Sequence, residues 1–217
     1  MKEKSRMFQD KLRKGDEPLI LPIIAYYGTG RLWDNHRAKR ENLNDNNIKS
    51  AKNTRKNGYI DCIDGTANLK LMNEWFRNQT ILKYQYQELG KGKVYVLEAV
   101  YSAMGRYFSE VTGYTDVKIQ YSMPDLELFV NYTNENKVTR LPLRLLSAGY
   151  KGTLSLIADI AYRMAMLNPY LKENVLTKTT GIIFIDKIDE LRETSDKEVS
   201  GCRVKLKLER IRKGVNE

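Results

Sequence analysis

The chain has 217 residues, 41% of them hydrophobic, enough for one domain or a domain and a half, and not the composition of a disordered protein. No window approaches the ~18 uninterrupted apolar residues of a membrane helix, and the opening MKEKSRMFQDKLRK has no apolar run for a signal peptide; the expectation is a soluble, cytoplasmic protein with no membrane partner. The net charge of +10 is spread over Lys2 to Lys14, Arg37 to Lys56 and Arg203 to Lys213, which suits DNA or RNA as a partner but, without an aromatic-interleaved basic motif, is more often solvated loops and tails, while the isolated Cys62, Cys202 and His36 argue against a metal cluster and His-based catalysis.

Leu19 to Tyr27, LILPIIAYY, is a nearly continuous apolar run that stops at Gly28-Thr29-Gly30 and predicts a strand buried on both faces. Asp34 to Asn57 is polar, basic and Asn-rich, and reads as a loop. Thr66 to Leu89 spaces Leu69, Met72, Trp75 and Phe76 as one face of an amphipathic helix, with Asp64 or Thr66 as its cap. A second helix presents Leu97, Val100, Tyr101, Met104, Phe108 and Val111 and ends near Gly113.

The period then becomes two. Val117, Ile119 and Tyr121, then Leu126, Leu128, Val130 and Tyr132, alternate with polar residues, and Asn134-Glu135-Asn136 turns the chain into Val138 to Leu143, which predicts a small antiparallel sheet. Leu154, Ile157, Ala161 and Met164 mark one face of a long helix starting at Tyr150 or Lys151 and stopped by Asn168-Pro169. The strand Gly181 to Asp186 follows, and the tail beyond about Arg192 shows periodicity only at Val204, Leu206 and Leu208.

Two stretches carry candidate chemistry. In GIIFIDKIDEL, Gly181 to Leu191, four apolar residues lead into Asp186, the pattern of a Walker B strand whose aspartate holds a magnesium-bound water; a buried strand ending in a helix-capping Asp gives the same pattern. In LLSAGYKG, Leu145 to Gly152, a serine, a glycine and a helix start offer a hydroxyl, backbone N–H groups and a positive helix end to a phosphate, or form an ordinary serine cap. Gly28-Thr29-Gly30-Arg31 reads as a tight turn, His36 as a loop residue, and Asp61 and Asp64 as a helix start.

The order LS-x-G, then LSLIADIAYRMAMLNP, then GIIFIDKID, resembles the C-terminal half of ABC-type ATPases of the SMC-like and RecF-like kind. More narrowly, with LPIIAYYGTGRLW and GYIDCIDGTANLKLMNEWF, it resembles bacterial AAA-family ATPases related to the ATPase subunits of anti-phage defence systems such as Septu, from about Leu21 to Asp189. The resemblance implies an α/β fold, a partial P-loop NTPase (ABC-type ATPase) domain with a helical subdomain and a small antiparallel sheet. It divides the chain into a basic segment 1–18, the partial ATPase domain 19–191 (helical part about 60–113, signature and Walker B about 145–189), and a basic tail 192–217. ATP and magnesium are the implied cofactors. Ser147, Gly149, Tyr150 and Lys151 become the signature element, which in ABC-type dimers presses on nucleotide held by the opposite subunit, and Asp186 becomes the magnesium-organising aspartate. The implied partner is a second copy or a complete ATPase subunit.

Two departures from that family bear on activity. Its usual Asp-Glu is Asp186-Lys187 here, and a charged lysine cannot accept the proton of the attacking water, so hydrolysis is expected to be impaired. No G-x-x-x-x-G-K-[ST] occurs, and the resemblance implies that the first strand and phosphate loop lie before the region where this chain begins. After Leu191 the resemblance stops. Besides an ATPase domain incomplete for autonomous hydrolysis, two other functions fit: a non-catalytic module docked on an intact ATPase, and a nucleic-acid binder using Arg37 to Lys56 and the basic tail.

Overall fold

The computed structural model describes residues 19–28, 55–64 and 69–185. The basic segment 1–18, most of the Asn-rich loop, Asp186, Lys187 and the tail 192–217 therefore lie outside the described residues.

Strand β1 (Ile23–Tyr27) and strand β5 (Gly181–Ile185) pair in parallel, Ile23 opposite Gly181 and Tyr27 opposite Ile185. Parallel strands need a crossover connection, and the helices and antiparallel strands between Leu69 and Lys178 lie within it. Gly181 is required at the entry to β5: a Cβ there would run into the Ile23 carbonyl oxygen and stand 2.6 Å from its nitrogen.

Helix α1 (Leu69–Glu88) ends where Gly90 takes φ 61°, so that the Lys91 N–H reaches the Tyr86 carbonyl at 2.9 Å and the Gly90 N–H reaches Gln87 at 3.3 Å. Helix α2 (Tyr95–Thr112) is closed in the same way by Gly113 at φ 73°, near the predicted stop. Strands β2 (Thr115–Ser122), β3 (Glu127–Asn134) and β4 (Lys137–Pro142) form the predicted antiparallel meander. Its β3–β4 turn puts Glu135 and Asn136 at φ 46° and 65°, the left-handed pair that matches the strand twist. Leu126 belongs to the preceding turn, at φ 55° and exposed, not to β3 as its spacing suggests.

Helix α3 (Ala148–Leu167) begins earlier than its periodicity implies and lies between two cores. Leu154, Ala158, Ala161, Tyr162 and Ala165 pack with α1, α2 and the meander, joining an aromatic set in which Trp75 meets Phe76 and Tyr162 edge-on at 5.0 and 5.5 Å. Leu156, Met164 and Leu167 pack instead with Ile23, Ala25, Tyr27, Ile183 and Val175 of the short helix α4 (Val175–Lys178). A helix apolar on both sides is an interior helix.

The two-stranded sheet departs from the expectation of burial on both faces. Ile23, Ala25 and Tyr27 are covered by α3, whereas Ile24, Tyr26, Ile182 and Phe184 are 44, 37, 50 and 42% exposed. The apolar run cannot distinguish a strand covered on both faces from one covered by a single helix, because both are written with the same residues.

Candidate functional site

In parallel α/β sheets the ligand crevice lies beyond the carboxyl ends of the strands. Here those ends are Tyr27 and Ile185, side by side in register. Asp186 and Lys187 come next along the chain and lie outside the described residues.

Directly behind the strand ends is a buried polar group that the apolar sequence pattern had not revealed. The Tyr27 hydroxyl donates to Asp159 Oδ2 at 2.6 Å, and Arg163 Nε donates to the same oxygen at 2.7 Å. Arg163 Nη1 also donates to the carbonyls of Gly58 at 3.0 Å and Ile60 at 2.7 Å, so one guanidinium holds the 55–62 segment against α3. Asp159 and Arg163 are 0 and 2% exposed, while Asp159 Oδ1 has no partner among the described residues. Burial, then the negative charge of Asp159 and its hydrogen bond, push the Tyr27 hydroxyl well above its ordinary range, so it is a neutral donor. Burial works against the charge on Arg163, but the Asp159 carboxylate outweighs it and raises the guanidinium pKa further. An Asp and an Arg one turn apart inside an otherwise apolar helix were the available sequence signal, since such charges are buried only when paired.

The other end of this end-to-end buttress is Asn168. Its Oδ1 accepts the Leu21 N–H at 2.8 Å and its Nδ2 donates to the Leu21 carbonyl at 2.9 Å, pairing with the chain before β1 as a neighbouring strand would. Thus the C-terminus of α3 sits at the start of β1 and its middle at the end of β1. The helix runs antiparallel to the strand, and its N-terminal half projects past the strand ends.

That half carries the signature candidates. Ser147 is the N-cap, exposed, with no side-chain capping bond, and Gly149 is exposed with nothing within 4 Å of where a Cβ would stand. The first-turn N–H groups of Ala148, Gly149 and Tyr150 have no intrahelical acceptor by construction. Lys151 differs from expectation: its N–H closes the first helical bond, to the Ser147 carbonyl at 2.9 Å, so its backbone is not available to a phosphate. Tyr150 turns inward, with its ring 5.7 Å from that of Phe108. An uncapped serine, an open glycine and unused amides fit an anionic oxygen.

Ser147 stands about 18 Å along the helix axis from Asp159, at the ordinary rise per residue. The structure therefore does not bring Ser147, Gly149, Tyr150 and Lys151 together with the strand ends. Among the described residues no cluster of three or more His, Cys, Asp or Glu could hold a metal, and Asp186, the expected magnesium-organising aspartate, lies outside them. No helix of the described residues is long and apolar enough to cross a membrane.

What the geometry defines is a mixed α/β domain with a short parallel sheet and an antiparallel meander. No protein-family model matches the chain. It is 26% identical over 219 aligned residues to the Retron Vc95 probable ATPase of Vibrio cholerae serotype O1 biovar El Tor, an overlap of 85% of this chain and 42% of that protein. It is 31% identical over 153 residues to the Retron Ec83 probable ATPase of Escherichia coli, covering 70% of this chain and 25% of that protein. The chain thus spans less than half the length of either curated relative.

Proposed function

We propose that the chain is an ATP-associated domain of the ABC/SMC-like class, working in a bacterial anti-phage defence ATPase and impaired in hydrolysis on its own. Similarity to two retron probable ATPases supports an ATPase of that setting. The observation that carries the finer reading is the antiparallel packing of α3 on β1. It aims the open turn at Ser147 and Gly149 about 18 Å beyond the strand ends, too far to serve a phosphate held there by the same chain. Such an element serves nucleotide held by another subunit, a second copy or a complete ATPase.

In this reading Ser147 and the amides of Ala148 to Tyr150 take the terminal phosphate of the partner's nucleotide, their partial positive charge opposing the phosphate's. Asp186 orients magnesium, which neutralises phosphate charge when bound, and Lys187 in place of a glutamate leaves the attacking water without a base.

Calorimetric titration of the chain with ATP and magnesium, beside Asp186→Ala, tests the metal assignment. Heat that Asp186→Ala abolishes supports it; heat unchanged by the substitution refutes it. Mixing with an intact relative and introducing Lys187→Glu then separates a degenerate enzyme site, which gains hydrolysis, from a non-catalytic docking module, which gains none at any ratio.

A further inference from the structure

The turn Gly90-Lys91-Gly92-Lys93 between α1 and α2 takes no part in the chemistry above. Its glycines, at φ 61° and 88°, place two lysines on one bend, and the structure gives neither lysine an ion pair among the described residues. They line a cleft of about 440 Å³ bounded by α1, the start of α2 and the end of α3. Trp75, Tyr86 and Tyr95 line the same cleft, and no aspartate or glutamate does.

Lys172 lines the same cleft and holds its Nζ 5.6 Å from the centre of the Tyr95 ring. Lys172 does so from φ 51° and ψ −125°, a sparsely populated backbone state for a residue with a Cβ. Helix α2 also starts in the cleft wall, at Val94, which has no side chain able to cap it, so the amides of Tyr95 and Val96 add to the positive field. Arg55 is already engaged, donating to the carbonyls of Leu167 and Leu19 and to Asn168, and helps build the wall without serving as a ligand cation.

We propose that this cleft binds single-stranded nucleic acid, a base stacking on the half-exposed Tyr95 ring in place of the Lys172 ammonium, which is thereby released to join Lys91 and Lys93 on phosphates. Lysines alone would suit any polyanion. The aromatic face beside them selects a strand whose bases are unpaired, because a duplex keeps its bases stacked on one another. A cleft of this volume accommodates a nucleotide-sized group, with Lys91, Lys93 and Lys172 all in its lining. The site is separate from the opening of α3 and does not depend on the nucleotide assignment there.

Fluorescence anisotropy with a labelled oligodeoxynucleotide over a salt series tests it, comparing Lys91→Ala/Lys93→Ala/Lys172→Ala with the equally charge-reduced Lys118→Ala/Lys137→Ala/Lys178→Ala. Loss of three phosphate contacts should lower the log–log salt slope by about 2 in the first set, with a smaller change in the second. Tyr95→Ala should weaken binding by roughly tenfold while Tyr95→Phe keeps it, because the ring and not the hydroxyl stacks. Thermal melts confirm that each variant is folded. Equal losses in the two lysine sets, a duplex bound as tightly as the single strand, an unaffected Tyr95→Ala, or full displacement of the oligonucleotide by equimolar ATP would each overturn the proposal.

Discussion

Tyr27 and Asp159 are 132 residues apart in sequence and 2.6 Å apart in space, joined by a hydrogen bond inside the second core. This bond fixes the end of β1 to the middle of α3, and Arg163 shares the same carboxylate oxygen. Tyr27→Phe should destabilise by about 1–3 kcal/mol, since a buried carboxylate loses one donor. Asp159→Ala should cost about 3–5 kcal/mol because it leaves the Arg163 charge buried and unpaired. Urea unfolding of the two variants checks the order; a milder effect for Asp159→Ala would contradict the geometry.

Alkaline pH should weaken the fold through the same residue. The folded state raises the pKa of Tyr27 well above its ordinary 10.0, chiefly by burial, and burial also pushes Tyr162 up to about 12. The folded chain therefore holds these protons more tightly than the unfolded chain. Their contribution is fully present below about pH 10 and is lost as pH rises through the folded values. Stability measured from pH 9 to 12 should fall over the upper part of that range, with ionisation of Tyr27 and Tyr162 by tyrosinate absorbance coinciding with unfolding. Stability flat to pH 12 would contradict the burial of both hydroxyls.

Asn168 illustrates a polar residue doing a strand's work. Besides Leu21, its Nδ2 donates to Thr179 Oγ1 at 3.0 Å and its Oδ1 accepts from Arg55 at 3.0 Å, all with the residue fully buried. Asn168→Ala should destabilise by at least 2 kcal/mol, leaving the Leu21 groups unpaired. Asn168→Asp keeps the size but removes both donors and buries a charge, so it should not rescue. Thermal melts of the pair distinguish lost hydrogen bonding from lost volume.

Gly149 offers a separation of stability from function. It is exposed on the first turn of α3 with open space around it, so Gly149→Ala should stabilise the fold by about 0.5–1 kcal/mol through helix propensity. If the turn meets a partner's phosphate, the added methyl should at the same time weaken ATP-dependent association with an intact ATPase subunit. Sedimentation with and without ATP, set beside a melt, reads both. A variant that melts higher and associates as before would sink the signature assignment.

Helices α1 to α3, the meander and their stops were legible because each is written locally: Gly113 ends α2, Glu135-Asn136 turns β3 into β4, and Pro169 follows the end of α3, whereas the short helix α4 falls where only a loop was expected. Helical spacing also placed Leu154, Ala161 and Met164 inside. What could not be read is long-range. Nothing near Asn168 announces Leu21, and nothing near Tyr27 announces Asp159, since those bonds exist only once β1 lies along α3. Gly149 and Tyr150 lie on the first turn of α3, where amides have no intrahelical acceptor, while the commitment of the Lys151 N–H to Ser147 follows from where the helix begins, which periodicity defines least well. The aromatic and basic cleft combines α1, α2 and the end of α3, three segments whose meeting no local pattern encodes.

Because α3 contributes Leu154 and Ala161 to one core and Leu156 and Met164 to the other, neither core can open without stripping a face from the same helix. The described region should therefore melt as a single cooperative unit, and the slowest backbone amides to exchange with deuterium should be those in the middle of α3, around Ala158 to Met164.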